Sequence, residues 1–149
     1  MKKTILTVCS VGILVLGFSA FAVTTKSINY FNGNYGIGTT TPSAKLEVNG
    51  YTKLGSDAPA IKIKKFTGTT SSSAGGSTNI EHGLDVGKII GVQMFVLDYA
   101  DRVIPPSSVL SGKEYGYDLT STLIYTRLVA GNSSDITNEP IRILITYEE

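Results

Sequence analysis

The 149-residue sequence contains one cysteine, one histidine and no tryptophan. The cysteine, Cys9, lies inside an apolar N-terminal run, so the rest of the chain has no thiol. This excludes disulfides and a cysteine nucleophile from that larger part. There is no Gly-x-Ser-x-Gly sequence, which excludes the nucleophile elbow of the α/β-hydrolases. A single histidine without neighbouring cysteines does not supply the ligands of a zinc site.

Charge and helix signals are also scarce. Charged residues make up 17% of the chain and the formal net charge is +1. A nucleic-acid-binding protein normally carries a basic surplus that neutralises phosphates, so we predict no nucleic-acid partner. After residue 22, every stretch with apolar residues at helical spacing is also rich in Gly, Pro or β-branched residues, which disfavour helices. The length allows one compact domain with a short appendage, and the pattern predicts an all-β fold.

The N-terminus has the features of a secretory signal peptide. Lys2 and Lys3 precede an apolar run at residues 4–18, and Ala20 and Ala22 supply the small residues of a cleavage site. The alternative is a membrane anchor, but about 15 apolar residues fall short of the roughly 20 that a spanning helix needs. We therefore predict a signal peptide at residues 1–22, cleavage after Ala22, a secreted or cell-surface location, and no membrane span in the mature chain.

Residues 23–57 form a polar, glycine-rich segment that we interpret as a stalk. Asn-Gly pairs at residues 32–33 and 49–50 are turn signals. Leu46 and Val48 alternate with polar neighbours, as in a short half-buried strand. The few apolar residues cannot offset the conformational entropy of ordering the segment alone. We predict that Ile37, Leu46 and Val48 contact other copies of the chain.

Two strings in this segment carry a resemblance. GIGT at residues 36–39 and TPSAKLEVNG at residues 41–50 resemble the short element in the shafts of bacteriophage tail fibres and of many secreted bacterial surface proteins. The resemblance implies a β-rich stalk in which three chains wind together, and hence a homotrimer. This chain has one copy of the element.

Residues 58–149 show the pattern of short strands separated by polar turns, with residues 56–60 as the joint to the stalk. Residues 61–64 alternate strictly, and residues 88–98 are apolar on both faces. The final segment, 140–149, contains Ile143, Leu144 and Ile145, which predicts an interior strand. The spacing indicates a single antiparallel β-sandwich or jelly-roll-like head.

The head also carries a resemblance, through TNIEHGL at residues 78–84, KIIGVQMFV at 88–96 and PIRILITY at 140–147. Together these strings resemble small β-sandwich domains at the C-terminal tips of phage tail fibres. The role implied by the resemblance is contact with a receptor or a glycan, without catalysis.

Few residues offer catalytic or metal chemistry. His82 is the one histidine, and its neighbour Glu81 would point to the opposite face of a strand, so a structural role is favoured. Asp98 and Asp101 could act as paired acids on a glycosidic bond, or bind calcium together with Asp85. The alternative, a solvated turn, is favoured because Asp is common in turns and a double proline follows. We predict no catalytic residue, no metal and no cofactor.

Tyrosines are the more promising recognition residues. An exposed tyrosine offers a flat apolar ring and a hydroxyl, both useful for contacting a sugar. Tyr99 directly follows a predicted buried strand and is bracketed by aspartates, so its ring should lie at the edge of the head. We predict that Tyr99, Asp101 and Tyr115 contact a ligand. Tyr115 and Tyr117 share one face of a strand, and the alternative is that this face belongs to the core.

These observations favour a non-enzymatic, secreted surface or fibre protein whose head binds a glycan or a cell-surface receptor. One alternative is a phage-type virion fibre or a structural fibre subunit. Virion proteins assemble in the cytoplasm, so the signal peptide argues against that alternative. The other alternative is a small secreted carbohydrate-active enzyme, which the short supply of catalytic groups disfavours.

Overall fold

The computed structural model describes residues 28–149. The predicted signal peptide and the first residues of the predicted stalk lie outside the described residues. The described residues divide into two units, a first that ends at Asn49 and a second that spans Gly50–Glu149. Within residues 28–149 the fold is all-β, as predicted, with eleven strands and two short 3-10 helices, Val86–Lys88 and Ser134–Ile136. None of the helices in this part of the chain has the length and apolar character needed to cross a membrane.

The strands are numbered in chain order. They are β1 (Ile28–Phe31), β2 (Asn34–Ile37), β3 (Leu46–Val48), β4 (Thr52–Lys53), β5 (Ala60–Thr69), β6 (Ser77–Glu81), β7 (Ile89–Leu97), β8 (Val103–Ile104), β9 (Tyr115–Leu119), β10 (Leu123–Leu128) and β11 (Pro140–Glu148).

The described part of the first unit is one three-stranded sheet. β1 and β2 form an antiparallel hairpin, and β2 pairs in parallel with β3. The hairpin turn consists of Asn32 and Gly33, both with positive φ (50° and 78°), as a two-residue turn of this kind requires. The Asn-Gly signal at residues 32–33 therefore predicted this turn correctly.

The tail-fibre-like motif spans the end of β2, the loop that follows and β3. A Cβ on Gly36 would lie 2.5 Å from the carbonyl oxygen of Thr39, so no side chain fits there. Gly38 has φ +75°, which glycine adopts without strain. The backbone amide and the hydroxyl of Ser43 both donate to Glu47 Oε2, at 2.7 and 2.8 Å. The motif residues thus have local structural roles that shape the crossover between parallel strands.

The second unit contains two antiparallel sheets. One has the strand order β6-β10-β9, and the other has the order β4-β5-β11-β7-β8. β11 lies between β5 and β7, so the prediction of an interior final strand is confirmed. The predicted joint was placed at residues 56–60, but β4 (Thr52–Lys53) already pairs with Ile61 and Ala60 of β5. Residues 50–57 therefore include a strand of the larger sheet.

The two sheets of the second unit enclose one hydrophobic core, as in a β-sandwich. Gly68 of β5 faces Ile80 of β6, and a Cβ on this glycine would lie 2.5 Å from the Ile80 side chain. The hydroxyl of Tyr117 in β9 donates to the carbonyl of Val92 in β7 at 3.2 Å. The buried residues of the core come from β7, β8, β9, β10, β11 and the second 3-10 helix: Met94, Val96, Ile104, Tyr115, Ile124, Leu128, Ile136, Ile141, Ile143 and Ile145.

Candidate functional site

The sheet of the first unit carries six apolar side chains on one face, and Phe31 of β1 lies on the other. Cross-strand partners share a face of a sheet, and the register pairs Ile28 with Ile37, Tyr30 with Tyr35, Tyr35 with Leu46, and Ile37 with Val48. We call this surface the stalk face. Its members are Ile28, Tyr30, Tyr35, Ile37, Leu46 and Val48.

The stalk face is largely open to solvent in the single chain. Leu46 is 61% exposed and Ile28 is 67% exposed. Among the described residues of the first unit, no large apolar side chain is buried. The three residues predicted to mediate self-association, Ile37, Leu46 and Val48, lie together on this face. The sequence pattern missed Ile28, Tyr30 and Tyr35, because their place on it follows from the strand register.

In the second unit, Asp98 organises the loop that follows β7. Its side chain is fully buried. The backbone amides of Ala100 and Arg102 donate to Oδ1 at 3.0 Å each. The Arg102 guanidinium and Lys113 Nζ donate to Oδ2 at 2.8 and 2.9 Å. Burial alone would raise the pKa of Asp98, but these hydrogen bonds outweigh it and hold the pKa well below its usual value.

Lys113 is the buried cation of this cluster. Its side chain is 6% exposed and lies 2.9 Å from Asp98 and 3.6 Å from Asp135. The ammonium group also lies 5.1 Å from the centroid of the Tyr99 ring, within the range of a cation–π contact. Sequence reasoning missed Lys113, since a lysine in a polar loop carries no periodic signal of burial.

Two of the three predicted ligand residues lie on the loop that Asp98 organises. Tyr99 is 73% exposed, as predicted for a ring at the edge of the head. Asp101 is exposed and has φ 57°, a left-handed conformation that aspartate adopts more readily than most residues other than glycine. The Arg102 side chain is 56% exposed beside them. Tyr99, Asp101 and Arg102 form a surface that we call the Tyr99 loop.

Tyr115 does not join that surface. It is 1% exposed and packs in the core. Its hydroxyl donates to the carbonyl of Ile104 at 2.8 Å, and burial raises the pKa of this hydroxyl. The prediction that Tyr115 contacts a ligand is therefore corrected: its strand face points into the sandwich, which was the alternative interpretation of Tyr115 and Tyr117.

The residues considered for catalysis or metal binding have structural partners. His82 is buried; its Nδ1 accepts from the amide of Leu84, and its Nε2 lies 3.1 Å from the carbonyl of Thr120. These contacts fit a proton on Nε2 and a structural role. Asp85 Oδ1 accepts from the amide of Gly87 at the start of a 3-10 helix. Within the described residues no three His, Cys, Asp or Glu side chains are placed to hold a metal ion.

A third feature lies on the outer face of the larger sheet of the second unit. Two adjoining grooves of about 280 and 340 Å³ share Gln93 and Leu144. We call them together the sheet trough. Its outward-facing side chains are Ile63, Lys65, Gln93, Phe95, Arg142 and Leu144. Residues 88–98 and 140–149 were predicted as apolar interior strands, and sequence alternation did not indicate that one face would stay open.

Comparison with protein-family models, with curated proteins and with solved structures gave no match for this chain.

Proposed function

We propose that this protein is a non-enzymatic, exported, fibre-like surface protein: a trimeric stalk carries a β-sandwich head that binds a glycan or a receptor. The observation that carries the binding role is the exposure of the Tyr99 ring on a loop held by buried charges. A ring presented on a rigid loop contacts a ligand without a large loss of conformational entropy. Lys113 lies over the Tyr99 ring, but Tyr99 is still 73% exposed. Most of the ring surface is therefore open to a sugar.

Self-association is supported by the stalk face. An open apolar face on so small a sheet is stabilised when other copies cover it. Three copies with their stalk faces turned toward a common axis would form a closed apolar core, as symmetric oligomers do. The tail-fibre-like strings at residues 36–39 and 41–50 favour three copies over two.

Export is supported by the pattern of residues 1–22 alone, with its two lysines, apolar run and small residues. A surface role follows from export, because a fibre with a binding head acts outside the cell. The virion-fibre alternative requires assembly in the cytoplasm and would leave this segment without a use.

Replacing Tyr99 with alanine tests the binding role. The variant should lose binding in a glycan array or a cell-adhesion assay, because the ring supplies the flat contact surface. Its melting temperature should fall only slightly, since the ring is mostly exposed and the cation–π contact with Lys113 that it loses contributes about 1 kcal/mol.

Tyr125→Ala is the matched control, because Tyr125 is a partly exposed tyrosine of β10 in the other sheet, and it should retain binding. Full binding by Tyr99→Ala would contradict the assignment. So would a loss of about 3 kcal/mol of stability, the size expected for a core aromatic.

A further inference from the structure

The sheet trough lies across the three central strands of the larger sheet. On β11, Arg142 is opposite Phe95 of β7. Leu144 lies between Lys65 of β5 and Gln93 of β7. Thr146 lies between Ile63 of β5 and Gly91 of β7. Arg142 and Thr146 are four residue steps apart along the strand, or about 13 Å at the usual rise per residue. The trough is therefore longer than one sugar ring.

The side chains of the trough combine apolar surface with positive charge. Leu144 is 42% exposed and Phe95 is half-buried beside it. Lys65 and Arg142 are both exposed, and the grooves have no carboxylate among their lining residues. Within residues 28–149, neither cation lies in an ion pair. Two unpaired cations beside an apolar floor favour an anionic ligand that also has apolar faces.

We propose that the sheet trough binds an acidic polysaccharide, one whose sugar rings carry carboxylates. The C–H faces of the rings would pack on Leu144 and Phe95. The carboxylates would pair with Arg142, whose guanidinium can bind a carboxylate through two hydrogen bonds, and with Lys65. Gln93 supplies both a donor and an acceptor for hydroxyl groups.

Other occupants fit this surface less well. A second copy of the chain, packed face to face, would bring the cations of both copies together without carboxylates in the grooves to pair with them. A peptide cannot add to the sheet here as a strand, because β11 is paired on both sides and has no free edge. A nucleic acid normally needs many cations, and the chain has a net charge of only +1.

This inference goes beyond the proposed function and concerns a different surface from the Tyr99 loop. The experiment uses the full exported chain and titrates it with hexagalacturonate by calorimetry, beside the fully methyl-esterified hexamer as the uncharged match. The acid should bind at least about tenfold more tightly than the ester, the size expected for losing a charge-assisted hydrogen bond.

Two variants locate the binding. Arg142→Gln should weaken hexagalacturonate binding at least about tenfold, because the charged donor is lost. Gly91→Phe should block the trough by filling it; the nearest atom to a Cβ at Gly91 is 3.8 Å away, so a side chain can be accommodated. Tyr99→Ala should leave this binding unchanged, which separates the trough from the Tyr99 loop.

Several results would overturn the proposal. The first is that hexagalacturonate does not bind at millimolar concentration. The second is that the acid and the ester bind equally tightly. The third is that Arg142→Gln and Gly91→Phe both bind hexagalacturonate as tightly as the wild type. A hexaglutamate peptide or a short single-stranded DNA that binds as tightly as hexagalacturonate would also overturn it, because attraction to any polyanion would then explain the data.

Discussion

Replacing Leu46 with aspartate is expected to dissociate the proposed trimer into monomers. Leu46 lies in the stalk face opposite Tyr35, and in a trimer the substitution would bring three carboxylates into an apolar core. The cost of removing an unpaired charge from water is several kcal/mol for each ion. Light scattering at micromolar concentration should therefore give the mass of one chain. The head should keep its melting temperature, because its core residues lie in the second unit.

Phe31→Asp is the matched control for this substitution. Phe31 is also an exposed apolar residue of the same sheet, but the register places it opposite Asn34, on the face away from Leu46. This variant should remain trimeric. Dissociation of both variants would mean that added charge, and not the stalk face, controls assembly, and a trimeric Leu46→Asp would contradict the role of the stalk face.

Replacing Asp98 with alanine should strongly destabilise the head. The substitution leaves Lys113 buried without its nearest partner, and it frees the two backbone amides that now donate to Oδ1. Breaking a buried ion pair by removing one member is strongly destabilising, so the melting temperature at pH 7 should fall by roughly 10 °C or more. The double variant Asp98→Ala/Lys113→Met should recover much of this loss, because the buried charge is also removed.

The contribution of Asp98 to the stability of the head should decrease as the pH is lowered. Its pKa is lowered in the folded protein, so its contribution is fully present above the ordinary pKa of an aspartate and is lost as the pH falls toward the folded value. Calorimetry between pH 7 and pH 2 should therefore show the gap between wild type and Asp98→Ala closing below about pH 4. A gap that stays constant down to pH 2 would contradict the assignment of this ion pair.

Local signals in the sequence predicted several elements of the fold. The Asn-Gly pair at residues 32–33 favours a turn through its own backbone preferences. The apolar alternation of residues 140–149 likewise indicates a strand without reference to the rest of the fold. The interior place of β11 followed from Leu144 being apolar between Ile143 and Ile145. The same residue also shows the limit of the pattern, because Leu144 lies in the open trough. Hydrophobicity indicates burial and does not tell which face another layer will cover.

The candidate sites depended more on tertiary structure. Tyr99 is exposed, as predicted from its position directly after a buried strand and between two aspartates. Tyr115 was placed wrongly, since alternation with Tyr117 defines a shared face but not its direction. Lys113 reaches Asp98 across 15 residues of sequence. Such a contact arises from loop geometry, which no local pattern encodes.

The most direct test of the account is the native mass of the protein recovered from outside the cells that produce it. Native mass spectrometry should find three copies of a chain that begins at Val23, which would support both export and the trimeric stalk. A monomer at micromolar concentration, or a protein that stays in the cytoplasm with Met1 retained, would contradict the proposed exported fibre.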